Sequence, residues 1–179
     1  MYQLLTDDEI QRVIAQARQY GEPKHRLKYV ALLTLLANYG PRISEALALR
    51  WRDVDFSRKT ITLKTLKRRK PASRTLPLMD GVASTLADYR STVNGDPRVF
   101  PFTAYGRCVV WHAFQVLLDR AGIPRKKVHA LRHSAVSRWA ELDVVLARDI
   151  AGHANISTTN EYAHVRRMQE KMQMLQAIT

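Results

Sequence analysis

The chain has 179 residues, of which 46% are hydrophobic, and its 29 lysines and arginines against 16 acidic residues give a formal net charge of +13. This length and hydrophobic share fit one folded domain with its own core and exclude a disordered basic tail. The charge favours an anionic partner. The one cysteine, Cys108, excludes an internal disulfide and favours a reducing, cytoplasmic location. The longest apolar stretch, Val30 to Ala37, is too short to cross a bilayer.

The first half of the chain begins with two predicted helices. Thr6 to Glu9 has the spacing of a capping box, and Ile10 and Val13 follow at helical intervals, so a first helix begins here. A second helix over about 26–38 is apolar on most of its surface, which predicts the central helix of the core. Gly40 stands where a left-handed residue would end that helix.

A small sheet is predicted next. Thr60 to Thr65 alternates branched and polar residues with a period near two, which is typical of a strand. Arg74 to Leu78 is predicted to pair with it in a hairpin with a basic tip, and Val54 to Phe56 to add a third strand. Further helices are predicted over about 81–92, 105–121, 130–141, 143–151, 157–162 and 165–177. The predicted fold is mainly α with a small antiparallel β-sheet, an α+β class, in one domain over 1–179.

Two pairs of side chains are candidates for chemistry. His129 and Arg132 are three residues apart at a predicted helix start, so both are placed to face one ligand. Backbone N–H groups and the helix dipole would make this an anion site, although a solvated helix face is the alternative. His153 and Tyr162 lie on either side of a Ser/Thr turn, and a buried packing tyrosine is the alternative for Tyr162.

Four segments follow one another in an order that is typical of one enzyme family. They are Arg42-Ile43-Ser44-Glu45, the basic hairpin from Leu63 to Leu78, His129 to His133, and Ala151 to Tyr162. Over almost all of its length the chain resembles the catalytic domain of the tyrosine recombinases, or phage integrase family. The resemblance implies a DNA recombinase that cleaves and rejoins strands through a 3′-phosphotyrosine, with no metal, nucleotide triphosphate or other cofactor.

The resemblance also implies roles for individual residues. Tyr162 is the implied nucleophile, and Arg42 and Arg132 the clamp on the phosphate, for which a planar, always charged guanidinium is suited. His129 and His153 are further donors, with His129 also a candidate for proton transfer. The implied catalytic residues are Arg42, Lys67, His129, Arg132, His153 and Tyr162.

The general acid and the supporting residues leave alternatives open. Lys67 is the first choice for the acid that protonates the leaving oxygen, but the usual interval back from Pro77 reaches Arg69, and Lys64 and Lys70 are also possible. The resemblance implies supporting roles for two further residues. They are Glu45, for which a surface carboxylate is the alternative, and His133, for which packing is the alternative.

The implied partners are double-stranded DNA and other protomers. The N-terminal DNA-binding domain common in the family is expected to be absent, so basic side chains of this domain would hold the DNA. A tetramer is expected on paired sites, with the last helix docked on a neighbouring protomer through Val165, Met168, Met172 and Leu175, or alternatively on its own core. The expected DNA contacts are Arg50, Arg52, Lys64, Arg68, Arg69, Lys70, Arg125, Lys126 and Lys127.

Other classes of protein have weaker support. A metal-dependent nuclease would need converging carboxylates, and only Asp53 and Asp55 are close in sequence. A zinc site lacks ligand pairs, since there is one cysteine. Two alternatives remain compatible with the motifs. One is a type IB topoisomerase, which uses similar residues. The other is a DNA-binding regulator on an inactive recombinase scaffold, which loss of a motif arginine or of the tyrosine would indicate, and none of these is lost here.

Overall fold

The computed structural model describes residues 4–66, 72–93, 95–102 and 105–152. Within these ranges the helices and strands confirm the predicted mainly helical fold with one small antiparallel sheet. None of these helices combines the length and the apolar composition that a bilayer span requires. The elements in chain order are α1 Asp7–Ala17, α2 Pro23–Tyr39, α3 Ile43–Leu47, β1 Val54–Asp55, β2 Thr60–Thr65, β3 Ala72–Pro77, α4 Asp80–Arg90, α5 Gly106–Arg120, α6 His129–Leu142 and α7 Val144–Ala151.

Helix α2 is the centre of the core. It begins earlier than predicted because Pro23 occupies its first turn, where a missing N–H costs nothing. Its residues are buried from Tyr29 to Tyr39 except at Thr34 and Asn38, and it packs against α1, α4 and α6. It ends at Gly40, whose φ of 57° is left-handed. The predicted central helix is therefore confirmed.

The sheet has the strand order β1-β2-β3, with both pairs antiparallel. In β2 the side chains of Ile61, Leu63 and Thr65 are buried, as the period of two predicts. The Tyr39 hydroxyl donates to the Pro77 carbonyl at 2.7 Å and accepts from the Met79 N–H at 2.8 Å. These bonds fix the end of β3 against the end of α2.

The segment before α1 is held on α6. The Leu5 N–H donates to the Ser134 hydroxyl at 2.7 Å, and that hydroxyl donates back to the Leu5 carbonyl at 2.8 Å. Lys126, just before α6, places its Nζ 2.9 Å from Glu9 of α1. Because the Ser134 bonds are buried, they fix the position of α6 relative to Leu5.

Gly40 permits a close approach between α2 and α6. A Cβ at this position would lie 3.2 Å from both the Ala135 Cβ and the Arg132 carbonyl oxygen. We expect Gly40→Ala to lower the free energy of unfolding by about 1–2 kcal/mol for the left-handed backbone alone, and further through overpacking.

Gly122→Ala is the matched control for this prediction. Gly122 is also left-handed, at φ 66°, but a Cβ there would meet nothing within 4 Å. Urea unfolding of both variants should show the larger loss for Gly40→Ala. Equal losses would mean that α6 moves away from the added methyl group at no cost.

Candidate active site

Arg132 lies where the ends of two helices meet. Its Nη1 donates to the carbonyl of Gly40 at the end of α2, and its Nη2 donates to the carbonyl of Ala151 at the end of α7, at 2.9 Å. Only 5% of the residue is exposed. Carbonyls at the C-terminal end of a helix lack intrahelical donors and carry the negative end of the dipole, so they stabilise a buried cation.

The charge of Arg132 is coupled to that of its neighbours. Burial lowers the pKa of Arg132 to about 10; the positive charges of Arg42 and, to a smaller extent, Arg74 act in the same direction, and Glu45 opposes them. That value is well above neutral pH, so the guanidinium stays charged. The structure therefore brings Arg42, Glu45 and Arg132 into one electrostatic environment.

Glu45 orients Arg42. The carboxylate accepts from the Arg42 Nη1 at 3.0 Å and from the Arg42 backbone N–H at 3.2 Å. The Glu45 side chain is fully buried whereas that of Arg42 is 26% exposed. Burial raises the pKa of Glu45, but hydrogen bonds from Arg74 and Arg42 and the charge of Arg74 outweigh burial and lower the pKa overall. Glu45 is thus an ionised, buried residue, and the alternative of a surface carboxylate is wrong.

Arg74 is a member of this cluster that the sequence analysis missed. It lies in β3, and its Nη2 donates to the Glu45 carboxylate at 2.9 Å. The alternation of buried and exposed positions in the strands could have identified it. Arg74 pairs with Leu63 across the sheet and lies two residues before Leu76, and both leucines are buried. An arginine on the inward face of a strand requires a buried acceptor.

The two histidines at the start of α6 pack on each other. The rings of His129 and His133 meet edge to face with centroids 4.7 Å apart. His129 is exposed although Arg132, one turn later, is buried. Within the described ranges, no group of three His, Cys, Asp or Glu side chains is arranged to hold a metal.

Several predicted site residues lie outside the described ranges. Gly152 ends α7 with a left-handed φ of 66° and immediately precedes His153 in the sequence. The contacts made at the end of α7 therefore fix the point from which the chain continues. The site residues outside the described ranges are Lys67, Arg68, Arg69, Lys70, His153 and Tyr162, and the predicted helices 157–162 and 165–177 lie outside them as well.

The predicted DNA contacts differ in exposure and in whether their charges are paired within the protein. Lys126 donates to Glu9, its side chain is only 15% exposed, and this hydrogen bond lowers the pKa of Glu9. The positive charge of Lys126 is therefore balanced by the carboxylate of Glu9. Arg125 pairs with Asp119 at 3.0 Å but stays 71% exposed. The exposed predicted contacts also include Arg50, Arg52 and Lys127.

Lys64 is the one candidate for the general acid inside the described ranges. Its Nζ lies 3.5 Å from the Asp53 carboxylate, and the side chain is 40% exposed. In β2 it alternates with the buried residues Leu63 and Thr65. Lys64 therefore lies on the opposite face of the strand from Thr65, which accepts a hydrogen bond from Arg74.

Comparison with known proteins gives one consistent family. A family model described as the phage integrase family matches residues 3–169. A tyrosine recombinase XerC-like protein of Caldanaerobacter subterraneus subsp. tengcongensis is 27% identical over 201 residues, covering 89% of this chain and 50% of that protein. The chain spans about half the length of the curated relatives it matches.

Solved structures share the fold. The catalytic domain of bacteriophage HP1 integrase superposes with a TM-score of 0.63 at 25% identity, covering 92% of this chain and 89% of that one. A lambda integrase dimer bound to a COC′ core site gives a TM-score of 0.64 at 17% identity, covering 89% of this chain and 61% of that one.

Proposed function

The chain belongs to the phage integrase family, and on that premise we propose that it is the catalytic domain of a site-specific DNA recombinase. In this role it cleaves and rejoins DNA strands through a 3′-phosphotyrosine intermediate. The observation that carries the proposal is the buried cluster in which Glu45 orients Arg42 beside Arg132.

The cluster suits a phosphodiester under attack. A pentavalent transition state places extra negative charge on the non-bridging oxygens, and donors that are already oriented stabilise it most. Glu45 fixes Arg42, and two helix-end carbonyls fix Arg132. Arg42 and Arg74 both pair with Glu45, and Arg132 interacts electrostatically with all three, so the cluster carries a net charge of +2.

In the proposed reaction, the Tyr162 oxygen forms a bond to phosphorus and the bond from phosphorus to the 5′ oxygen breaks. His129 accepts the phenol proton, and Lys67 supplies a proton to the leaving oxygen. His153 donates a further hydrogen bond to the phosphate. Attack by a 5′ hydroxyl on the phosphotyrosine reverses these steps and reseals the strand. The bond energy is kept in the intermediate, so no nucleotide triphosphate is consumed.

The proposal includes double-stranded DNA and other protomers as partners. The lambda integrase structure, a dimer on its core site, supports both. We place the protein with the chromosome in the cytoplasm, as a tetramer on paired sites. The apolar stripe from Val165 to Leu175 is the proposed contact with a neighbouring protomer, and those residues lie outside the described ranges.

The test is covalent capture of DNA. The chain is incubated with a pool of labelled, nicked duplexes of randomised sequence, with a metal chelator and without ATP. We expect an adduct that survives denaturation, joined through a 3′ phosphate to the peptide that contains Tyr162. Sequencing the captured strands then gives the target site for all later assays.

Two results would contradict the proposal. One is the absence of any adduct from the pool, and the other is attachment through a 5′ phosphate. Plasmids that carry one or two copies of the captured site then separate the enzymatic alternatives. Exchange between two sites is expected of a recombinase, whereas relaxation of supercoils without exchange would indicate the topoisomerase.

A further inference from the structure

The side chain of Arg74 connects three elements of the active-site cluster. Besides its bond to Glu45 of α3, its Nη1 donates to the Thr65 hydroxyl of β2 at 3.2 Å, and its Nε donates to the Ile150 carbonyl of α7 at 2.7 Å. The side chain is 10% exposed. A planar guanidinium with donors in a rigid fork is suited to acceptors on three separate elements.

The turn after α7 is shaped around this guanidinium. A Cβ at Gly152 would lie 2.8 Å from the Arg74 Nη1 and 3.1 Å from its Cζ. The glycine therefore provides room for Arg74 as well as the left-handed φ of 66°. Arg74 holds the carbonyl of Ile150, and Arg132 holds that of the next residue, Ala151.

We infer that Arg74 is a positioning residue of the proposed cleavage reaction, an inference that rests on the proposed function. It acts through Glu45, whose carboxylate it shares with Arg42, and through the end of α7, from which the chain continues to His153. Without Arg74, Glu45 loses its bond to this arginine and the Ile150 carbonyl at the end of α7 loses the Arg74 donor. Both sides of the phosphate clamp then become less well oriented.

Lysine at this position keeps the positive charge but not the fork. A lysine Nζ is a compact charge that cannot reach acceptors on α3, β2 and α7 together. On the captured duplex, we expect Arg74→Lys to form adduct about 100-fold more slowly, the size of effect that a misplacement of about 1 Å produces. The affinity for DNA should change by less than about twofold, since an almost buried side chain contributes little to phosphate contacts.

A second substrate separates positioning from general damage to the fold. In a methylphosphonate at the scissile position, one charged oxygen is replaced by a methyl group, so the reaction depends less on the arginine clamp. A positioning role predicts that the rate deficit of Arg74→Lys shrinks on this substrate. Arg58→Lys is the control, because Arg58 is 84% exposed in the turn after β1.

One further variant covers the case in which Arg74→Lys does not fold. The methyl group of Gly152→Ala would displace the same guanidinium, and Gly122→Ala is its control for left-handed strain, so only Gly152→Ala should slow cleavage. Where Arg74→Lys does fold, adding it to Glu45→Gln should slow adduct formation by a smaller factor than adding it to the wild type, since both substitutions act through one carboxylate.

The outcomes that overturn this inference differ from those that overturn the proposed function. A normal cleavage rate in Arg74→Lys, or an equal loss on both substrates, would show that Arg74 has no positioning role. Normal cleavage by Gly152→Ala would do the same. A wild-type chain that captures no DNA would instead reject the recombinase assignment itself.

Discussion

Tyr162→Phe should capture no DNA under conditions in which the wild type forms a covalent adduct. Phenylalanine has the same ring but no oxygen to form the bond to phosphorus. The variant should bind the captured duplex with unchanged affinity, because the loss of one hydroxyl group leaves the basic surface of the domain intact. Gel analysis after denaturation measures the adduct, and a filter-binding titration measures the affinity.

The size of this effect follows from the chemistry of the phenol. A tyrosine with a pKa near 10 is phenolate in only about one molecule in a thousand at pH 7, a deficit of about 4 kcal/mol. A site with surplus positive charge reduces that deficit, and under the proposed function the cluster of Arg42, Arg74 and Arg132 would supply this charge. A phenyl ring gains nothing from the same charges, so the expected loss is complete.

Tyr105→Phe is the matched control. Tyr105 lies just before α5 and is 75% exposed, so its hydroxyl should be irrelevant to capture. Wild-type capture by this variant is expected. An adduct formed by Tyr162→Phe, linked to any other side chain, would show that the nucleophile has been assigned to the wrong residue.

Arg132→Gln is expected to slow capture by about 10²–10³-fold, the range found when one preorganised donor to a transition-state oxyanion is removed. Glutamine is uncharged and too short to reach the carbonyls of both Gly40 and Ala151. The free energy of unfolding should also fall, by about 1–3 kcal/mol for buried carbonyls that lose their donor. Single-turnover capture at saturating protein and urea unfolding measure the two effects.

The control for Arg132→Gln lies on the same helix. Arg138 of α6 pairs with Asp7 at 2.9 Å, and its side chain is 26% exposed. Arg138→Gln removes the same charge from α6 without touching the carbonyls that Arg132 holds, so it should capture DNA at the wild-type rate. Capture of DNA by Arg132→Gln at the wild-type rate as well would mean that Arg132 serves only to hold α2 and α7 together.

Local patterns were sufficient to predict most of the architecture. The capping box of Thr6 and Glu9 forms as predicted, with the Thr6 hydroxyl accepting from the Glu9 N–H at 3.1 Å. The alternation in Thr60–Thr65 predicted the strand, in which every second side chain is buried. These signals depend on neighbours within a few residues, which the sequence displays directly.

The interior of the site depends on contacts between distant residues, and these were not predicted. Arg74 and Glu45 are 29 positions apart, and neither the segment that contains Glu45 nor the basic hairpin that contains Arg74 indicates that the two residues share a hydrogen bond. Helical spacing predicted that His129 and Arg132 face one ligand, yet the backbone carbonyls that bury Arg132 have no sequence signature. Carbonyl acceptors exist at every residue, so only the packing of the helix ends selects which ones are used.

The reciprocal bonds between Ser134 and the Leu5 main chain have a practical consequence for protein engineers. Ser134 is two residues after Arg132, and its buried hydroxyl depends on both the amide and the carbonyl of Leu5. A polypeptide shortened to start at Thr6 would lack both hydrogen-bond partners of Ser134 on α6, the helix that carries Arg132. Affinity tags and fusion partners are therefore best joined ahead of Leu4 through a spacer.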